Sequence, residues 1–152
     1  MLVMIFLLML STPLAADTAL SEPALNLDPY EILGQRPAGS FDLLGSPAEV
    51  YTYRNARPEE DNVVFYFKNH IYLFFFQNRV WQVRADFRFE GNIYGLTMGS
   101  GIEKAEEILG PPFSIVENSR IYSLPYKAYP VRARLIFKDN ILTDLYIYRS
   151  DY

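Results

Sequence analysis

Of the 152 residues none is cysteine, one is histidine and one is tryptophan. Without cysteine there is no disulfide framework, so the core alone must hold the fold. The same absence excludes a lipidated N-terminal cysteine and leaves an uncleaved leader or a partner as the route to any membrane attachment. With no Cys and a single His, His70, a zinc site lacks the convergent ligands it needs, and no cofactor is expected. No charged side chain occurs in MLVMIFLLMLSTPLAA, residues 1 to 16. That run is apolar from Leu2 to Leu10 and then turns to small and polar residues. This is the shape of a secretory signal peptide, with Ala16 the natural last residue before cleavage. Its amino-terminal end carries no Lys or Arg, which leaves an upstream start open. A spanning helix would need about 20 apolar residues, whereas this run is interrupted by Ser11-Thr12-Pro13 and closed by Asp17. The expectation is a periplasmic or secreted protein after cleavage, with an uncleaved N-terminal anchor as the alternative.

The basic excess that nucleic-acid binding requires is also missing. The net charge is -4, and no nucleic-acid partner is expected. Charge is nevertheless uneven. Residues 17 to 31 hold Asp17, Glu22, Asp28 and Glu31 with no basic residue, whereas residues 120 to 149 hold Arg120, Lys127, Arg132, Arg134, Lys138 and Arg149 against Asp139 and Asp144. What is abundant is aromatic: twelve Tyr and eleven Phe, a density that favours β-sheet and broad contact areas over disorder.

Two stretches echo one another. PAGSFDLLGSP at 37 to 47 and GIEKAEEILGPP at 101 to 112 both run through an acidic residue, two aliphatics, a glycine and a proline. The second predicts a helix in which Ser100 caps, Glu103 completes an S-x-x-E box, Ile102, Ala105, Ile108 and Leu109 share a face, and Gly110 with Pro111-Pro112 stops the helix. In the first copy Gln35 stands where Ser100 does and Gly39 falls mid-helix, which predicts a shorter, weaker helix. A further start signal, Asp28-Pro29-Tyr30-Glu31, follows an extended lead-in over residues 17 to 27.

Strand-like runs follow each helix. Three are predicted near 62 to 68, 71 to 77 and 79 to 86, turning at Lys68-Asn69-His70 and Gln77-Asn78-Arg79. Three more are predicted near 119 to 124, 131 to 138 and 141 to 148, the last pair turning at Asp139-Asn140. One helix on one meander cannot bury both of its partners' faces, so two units fused edge to edge explain the repetition. The predicted fold class is α+β: two tandem helix-plus-antiparallel-meander repeats, residues 28 to 90 and 91 to 152, forming one six-stranded sheet with short helices on one face.

Gly95-Leu96-Thr97-Met98-Gly99, the capped helix, Ile108-Leu109-Gly110-Pro111-Pro112 and the hairpin Phe137-Lys138-Asp139-Asn140-Ile141 together resemble a known repeat. It is that of the beta-lactamase inhibitory protein and of the small outer-membrane assembly lipoproteins of the SmpA/OmlA type. The resemblance is strong over residues 93 to 148 and weaker over 31 to 90, where Leu33-Gly34 and Leu43-Leu44-Gly45-Ser46-Pro47 survive. It implies a non-catalytic binding module, either a protein inhibitor working through the exposed sheet face or a scaffold in envelope assembly. This chain lacks both the lipidated cysteine of the assembly proteins and the paired cysteines of the inhibitor, so neither specific function transfers.

Strand alternation sorts the candidate residues. Val131, Ala133, Leu135 and Phe137 point inward, and Arg132, Arg134 and Ile136 outward. On the last strand Ile141, Leu145 and Ile147 are expected in the core, with Leu142, Asp144, Tyr146 and Tyr148 on the open side. Val63, Phe65 and Phe67 are expected inward and Val64, Tyr66 and Lys68 outward. The strand from Ile71 to Phe76 is apolar on both faces, as in a covered sheet or an exposed patch that calls for a partner. Trp81, on the face of Val83 and Ala85, is expected in the core. The candidate protein-binding residues are Arg132, Arg134, Tyr146, Tyr148, Tyr66 and Tyr72, the residue types that interface hot spots use. An ordinary solvated sheet face with cross-strand pairs is the bland alternative. His70 reads as turn polarity, and Glu103, Glu106 and Glu107 as helix-dipole acids rather than catalytic carboxylates. Gly95 to Gly101 fits no phosphate-loop pattern. The sequence therefore predicts an exported, non-catalytic module that binds a protein partner by the open face or edge of its sheet. An envelope-assembly component in peripheral association with a membrane protein is the second expectation. A small hydrolase is the third, with no nucleophile, base and orienter at telling spacing.

Overall fold

The computed structural model of the chain describes residues 24–152; the signal-peptide reading and most of the lead-in lie outside the described residues. The elements, in order, are β1 (Asn26–Leu27), α1 (Pro29–Ile32), α2 (Pro37–Leu44), β2 (Glu49–Tyr53), a 3-10 turn (Pro58–Glu60), β3 (Asn62–Phe67), β4 (Ile71–Phe76), β5 (Arg79–Asp86), β6 (Asn92–Ile93), α3 (Ile102–Leu109), β7 (Ser114–Val116), β8 (Ser119–Leu124), β9 (Val131–Lys138) and β10 (Ile141–Arg149). The fold is α+β. One eight-stranded antiparallel sheet runs β2-β3-β4-β5-β10-β9-β8-β7, and β1 pairs with β6 in a separate two-stranded parallel sheet. Two four-stranded meanders thus meet where β5 lies beside β10.

The six expected strands are present, but the sheet has eight. The additions, β2 and β7, are its two edges, and their exposed side chains carry no buried face to read as alternation. The core sits between the helices and one sheet face. It gathers Phe67, Ile71, Leu73, Val83, Ala85, Ala133, Leu135, Leu145 and Ile147 from the strands and Ile32, Leu33 and Ala105 from the helical segments. Two hydrogen bonds carry the first helical segment across to the second meander: the Tyr30 hydroxyl donates to the Pro125 carbonyl (2.6 Å) and the Tyr129 hydroxyl to the Leu33 carbonyl (3.0 Å).

Helix ends follow local chemistry. Asp28 caps α1 by accepting from the Tyr30 amide, with Pro29 at the first helical position. Ser100 does not cap α3: Gly101 holds the cap position with no side-chain bond, and the Ser100 hydroxyl sits 3.1 Å from that of Thr97. The α2 helix is not the shorter one, because Pro37 opens it at the first helical position and both helices run eight residues. Gly45 and Gly110 end them at φ 76, ψ -163 and φ 77, ψ -166, a region open essentially to glycine alone. A Cβ at Gly110 would meet no atom within 4 Å, so its cost is backbone strain without a clash. Gly110→Ala is expected to lower unfolding free energy by about 1–3 kcal/mol, read as a shifted denaturant midpoint at unchanged slope; an unchanged midpoint would contradict it.

Bulges decide which side chains face where. At β5 the register passes from Phe75↔Val80 to Phe74↔Gln82, leaving Trp81 as the extra residue. At β10 it passes from Leu142↔Phe137 to Asp144↔Ile136, leaving Thr143 extra, its hydroxyl donating to the Ile136 carbonyl (3.2 Å). Strict alternation therefore misplaces three residues. Trp81 belongs to the open face, Leu142 is buried in the core, and Ile141 is exposed. In β3, Val63 is exposed beside the edge strand, while Val64 is fully buried although it shares the open face with Tyr66. Its cross-strand partners on either side are Tyr51 and Phe74, and such aromatic flanks let a strand pair be apolar on both faces.

Candidate functional site

The registers place all six sequence-predicted residues on the helix-free face. One cross-strand row reads Glu49, Tyr66, Tyr72, Arg84, Tyr146, Arg134 and Ile121 from β2 to β8. The next row reads Tyr51, Val64, Phe74, Gln82, Tyr148, Arg132 and Ser123. Adjacent strands lie about 4.8 Å apart, so Tyr66 to Arg134 spans roughly 20 Å.

Charge and aromatic faces interleave along the first row. The Arg84 guanidinium lies 5.0 Å from the Tyr72 ring centre and 5.4 Å from that of Tyr146, and Arg134 lies 6.0 Å from Tyr146 on its other side. Tyr66 and Tyr72 continue the run with centroids 4.8 Å apart. Such contacts suit half-buried guanidinium groups, whose flat faces shed water more readily than an ammonium. Arg84 also donates to Asp144 (2.7 Å) across the β5–β10 seam. Burial opposes the charge on Arg84, yet the Asp144 carboxylate outweighs it and raises its pKa. Burial likewise raises the Tyr146 hydroxyl.

At the end of β5, Asp86 accepts from the Tyr72 hydroxyl (2.9 Å) and from the Arg88 amide and guanidinium. Its side chain is 5% exposed. Burial opposes ionisation, but these donors prevail and bring its pKa down to about 2, while burial and the Asp86 bond lift Tyr72 to about 12. A depressed folded-state pKa stabilises above the unfolded value near 4, and that stability is lost as pH falls toward 2. With Arg88 half exposed, the contribution is on the order of 1–2 kcal/mol. Asp86→Asn is expected to flatten the acid limb of unfolding free energy between pH 4 and pH 2; an unchanged slope there would contradict the assignment.

Over the two rows and reaching past them to Tyr53, Asn55, Asn62 and Trp81 lies a depression of about 420 Å³, lined also by Phe74, Gln82, Arg84, Arg134, Tyr146 and Tyr148. Trp81 is oriented by its indole N–H, which donates to the Asn62 side-chain oxygen (2.5 Å), and it meets Tyr148 edge to face at 6.5 Å. Trp81, Phe74, Arg84 and Tyr53 escaped the sequence reading. The first three needed the bulge and the register, and Tyr53 needed the unassigned edge strand. An indole and tyrosines with polar tips, fixed by neighbours, offer wide rigid contact at low entropic cost.

No family model and no curated protein matches this chain in sequence. Its fold is shared with a solved structure. An extracellular protein containing a SCP domain from Bacillus anthracis str. Ames aligns with a TM-score of 0.56 and 8% identity, over 94% of this chain and 51% of that one. This chain thus spans about half the length of that protein. A candidate beta-lactamase inhibitor protein from Streptococcus mutans aligns over 74% of this chain and 81% of its own at 15% identity, but with a TM-score of 0.33, a likeness too loose to carry an argument. Among the described residues no group of three or more His, Cys, Asp and Glu is placed to hold a metal ion. No helix among them is long and apolar enough to cross a membrane. His70, in the β3–β4 turn, lies 3.1 Å from the Tyr66 hydroxyl through a ring nitrogen.

Proposed function

We propose that the chain is an exported, non-catalytic protein-binding module that docks a protein partner on the open face of its sheet. The observation that carries this reading is the run of Tyr and Arg across β3, β4, β5, β10 and β9 beside an aromatic depression. Buried anchors of Tyr, Trp and Arg are the side chains on which interface energy concentrates.

We read the architecture as two tandem units, in line with the resemblance to the beta-lactamase inhibitory protein and SmpA/OmlA-type repeats. Four pairs of features support that reading. The helices match in length and in their terminal glycines. The Gly34 N–H donates to Val80 and the Val80 N–H to Gln35, as the Gly99 N–H does to Leu142 and the Leu142 N–H to Ser100. The two turns Gln77-Asn78 and Asp139-Asn140 both hold positive φ at both positions, the primed geometry that suits tight hairpins. Each is followed by a bulge at the same offset, Trp81 and Thr143.

Affinity capture from an envelope extract tests the docking face. A partner is expected on the unmodified protein and absent from a folded Tyr146→Ala/Tyr148→Ala variant. Equal capture by both would mean that the partner does not dock on the open face. A second reading, an envelope-assembly component packed against a membrane protein, is favoured by the exposed edge strand β2 with Val50, Tyr51 and Tyr53. It predicts sedimentation with membranes where the first predicts soluble protein.

A further inference from the structure

The charges on the open face are not evenly satisfied. Six arginines and one lysine among the described residues have a carboxylate within 4.0 Å. Arg132 and Arg134 are not among them. Arg132 lies over the Phe113 ring (4.7 Å), and Arg134 donates only to the Ser119 hydroxyl (3.0 Å). Both aspartates of the face are already engaged, Asp144 by Arg84 and Asp86 by Arg88. The one other acid in these rows, Glu49, sits on the far edge strand β2. The face therefore presents a positive end on β9, where Arg132, Arg134 and Lys138 alternate, an aromatic depression at its middle and one unengaged acid, Glu49, at the opposite edge.

Spacing narrows the partner further. Arg132 and Arg134 are alternate residues of one strand, so their side chains leave the same face about 7 Å apart along it. Two carboxylates at alternate positions of an extended chain share that separation and also project to one side. A guanidinium pairs with a carboxylate through a planar fork that an ammonium lacks.

Resting on the reading of the open face as a docking surface, we infer that the partner presents an extended acidic segment. Asp or Glu at alternate positions meets Arg132 and Arg134, and a neighbouring aromatic or aliphatic side chain enters the depression beside Trp81 and Tyr148. The segment runs with its acidic end over β9 and away from Glu49.

The chain carries its own reporter, since its one tryptophan lines the depression. The experiment is selection of a random dodecapeptide phage library on the immobilised protein, followed by titration of the enriched peptides against Trp81 emission. Enrichment of Asp/Glu-x-Asp/Glu beside an aromatic or aliphatic residue is expected. Binding of these peptides should weaken at least tenfold in a folded Arg132→Gln/Arg134→Gln variant and fall with added salt. Enrichment without acidic bias, or affinity retained in the Gln variant, would overturn the inference and leave the docking face standing. Equal enrichment on the unmodified protein and on the folded Tyr146→Ala/Tyr148→Ala variant would overturn both. Vesicles of phosphatidylglycerol and phosphatidylcholine that shift Trp81 emission as strongly as the peptides would assign the face to a membrane surface and overturn the inference.

Discussion

Replacing Leu145 by alanine is expected to lower unfolding free energy by about 3–5 kcal/mol, a large share of what a domain of this size possesses. Leu145 is fully buried on β10, paired with Ala85 of β5 on one side and Leu135 of β9 on the other. The Leu145–Ala85 pair lies on the seam at which the two meanders join, and Leu135 backs it from the next strand. Hydrogen-bonded strands on both sides hold the backbone, so the site cannot collapse onto the space left by three carbons, and the cavity term adds to the lost transfer energy. Denaturant unfolding should show a lower midpoint with an unchanged slope. A loss below about 1 kcal/mol would mean that the seam is looser than a packed core.

Trp81→Ala is expected to weaken a captured partner by at least about 30-fold, close to 2 kcal/mol. The indole lines the depression, is held by Asn62 and packs against Tyr148. Its removal takes away an anchor together with the packing that fixes its neighbour. Trp81→Phe should recover part of the affinity by keeping a ring in place. Ile115→Ala, an exposed aliphatic removed on β7, pairs with Arg120 and so projects on the helix side; it should change affinity less than twofold. Titration of the partner against the three folded variants checks the order. Equal losses for Trp81→Ala and Ile115→Ala would deny the depression any special part.

Much of this was legible in the residues, and where it was not the physical reason is specific. The central strands announced themselves through Val131, Ala133, Leu135 and Phe137 alternating with Arg132 and Arg134, because one face is buried and the other is not. Edge strands β2 and β7 carry no such contrast. The six candidate residues came out of period-two reasoning, and the registers place them on one face. Trp81, Leu142 and Ile141 were misplaced by the same reasoning, since one inserted residue flips every side chain on one side of it. The hairpin FFQNRVWQV matches IFKDNILTDL across its turn, but a bulge leaves no signature in residue type. Arg84 alternates with buried Val83 and Ala85 and so takes the open face, but residue type alone did not single it out. Its position between Tyr72 and Tyr146 depends on the β5–β10 pairing, a contact between residues about sixty positions apart. The cap of α3 was misread because Ser100 satisfied a local pattern, while the chain enters the helix one residue later at Gly101.

The absence of native cysteine allows docking of partners on the helix-free face to be tested at single positions. Gln82→Cys lies in the middle of that face and Glu107→Cys on exposed α3 on the other side. Each would be modified with a bulky maleimide, and affinity for the captured partner would be measured before and after modification. At least a hundredfold loss is expected on modifying Gln82→Cys and less than a twofold change on modifying Glu107→Cys. Binding that survives the label at position 82 and is lost to the label at position 107 would contradict docking on that face.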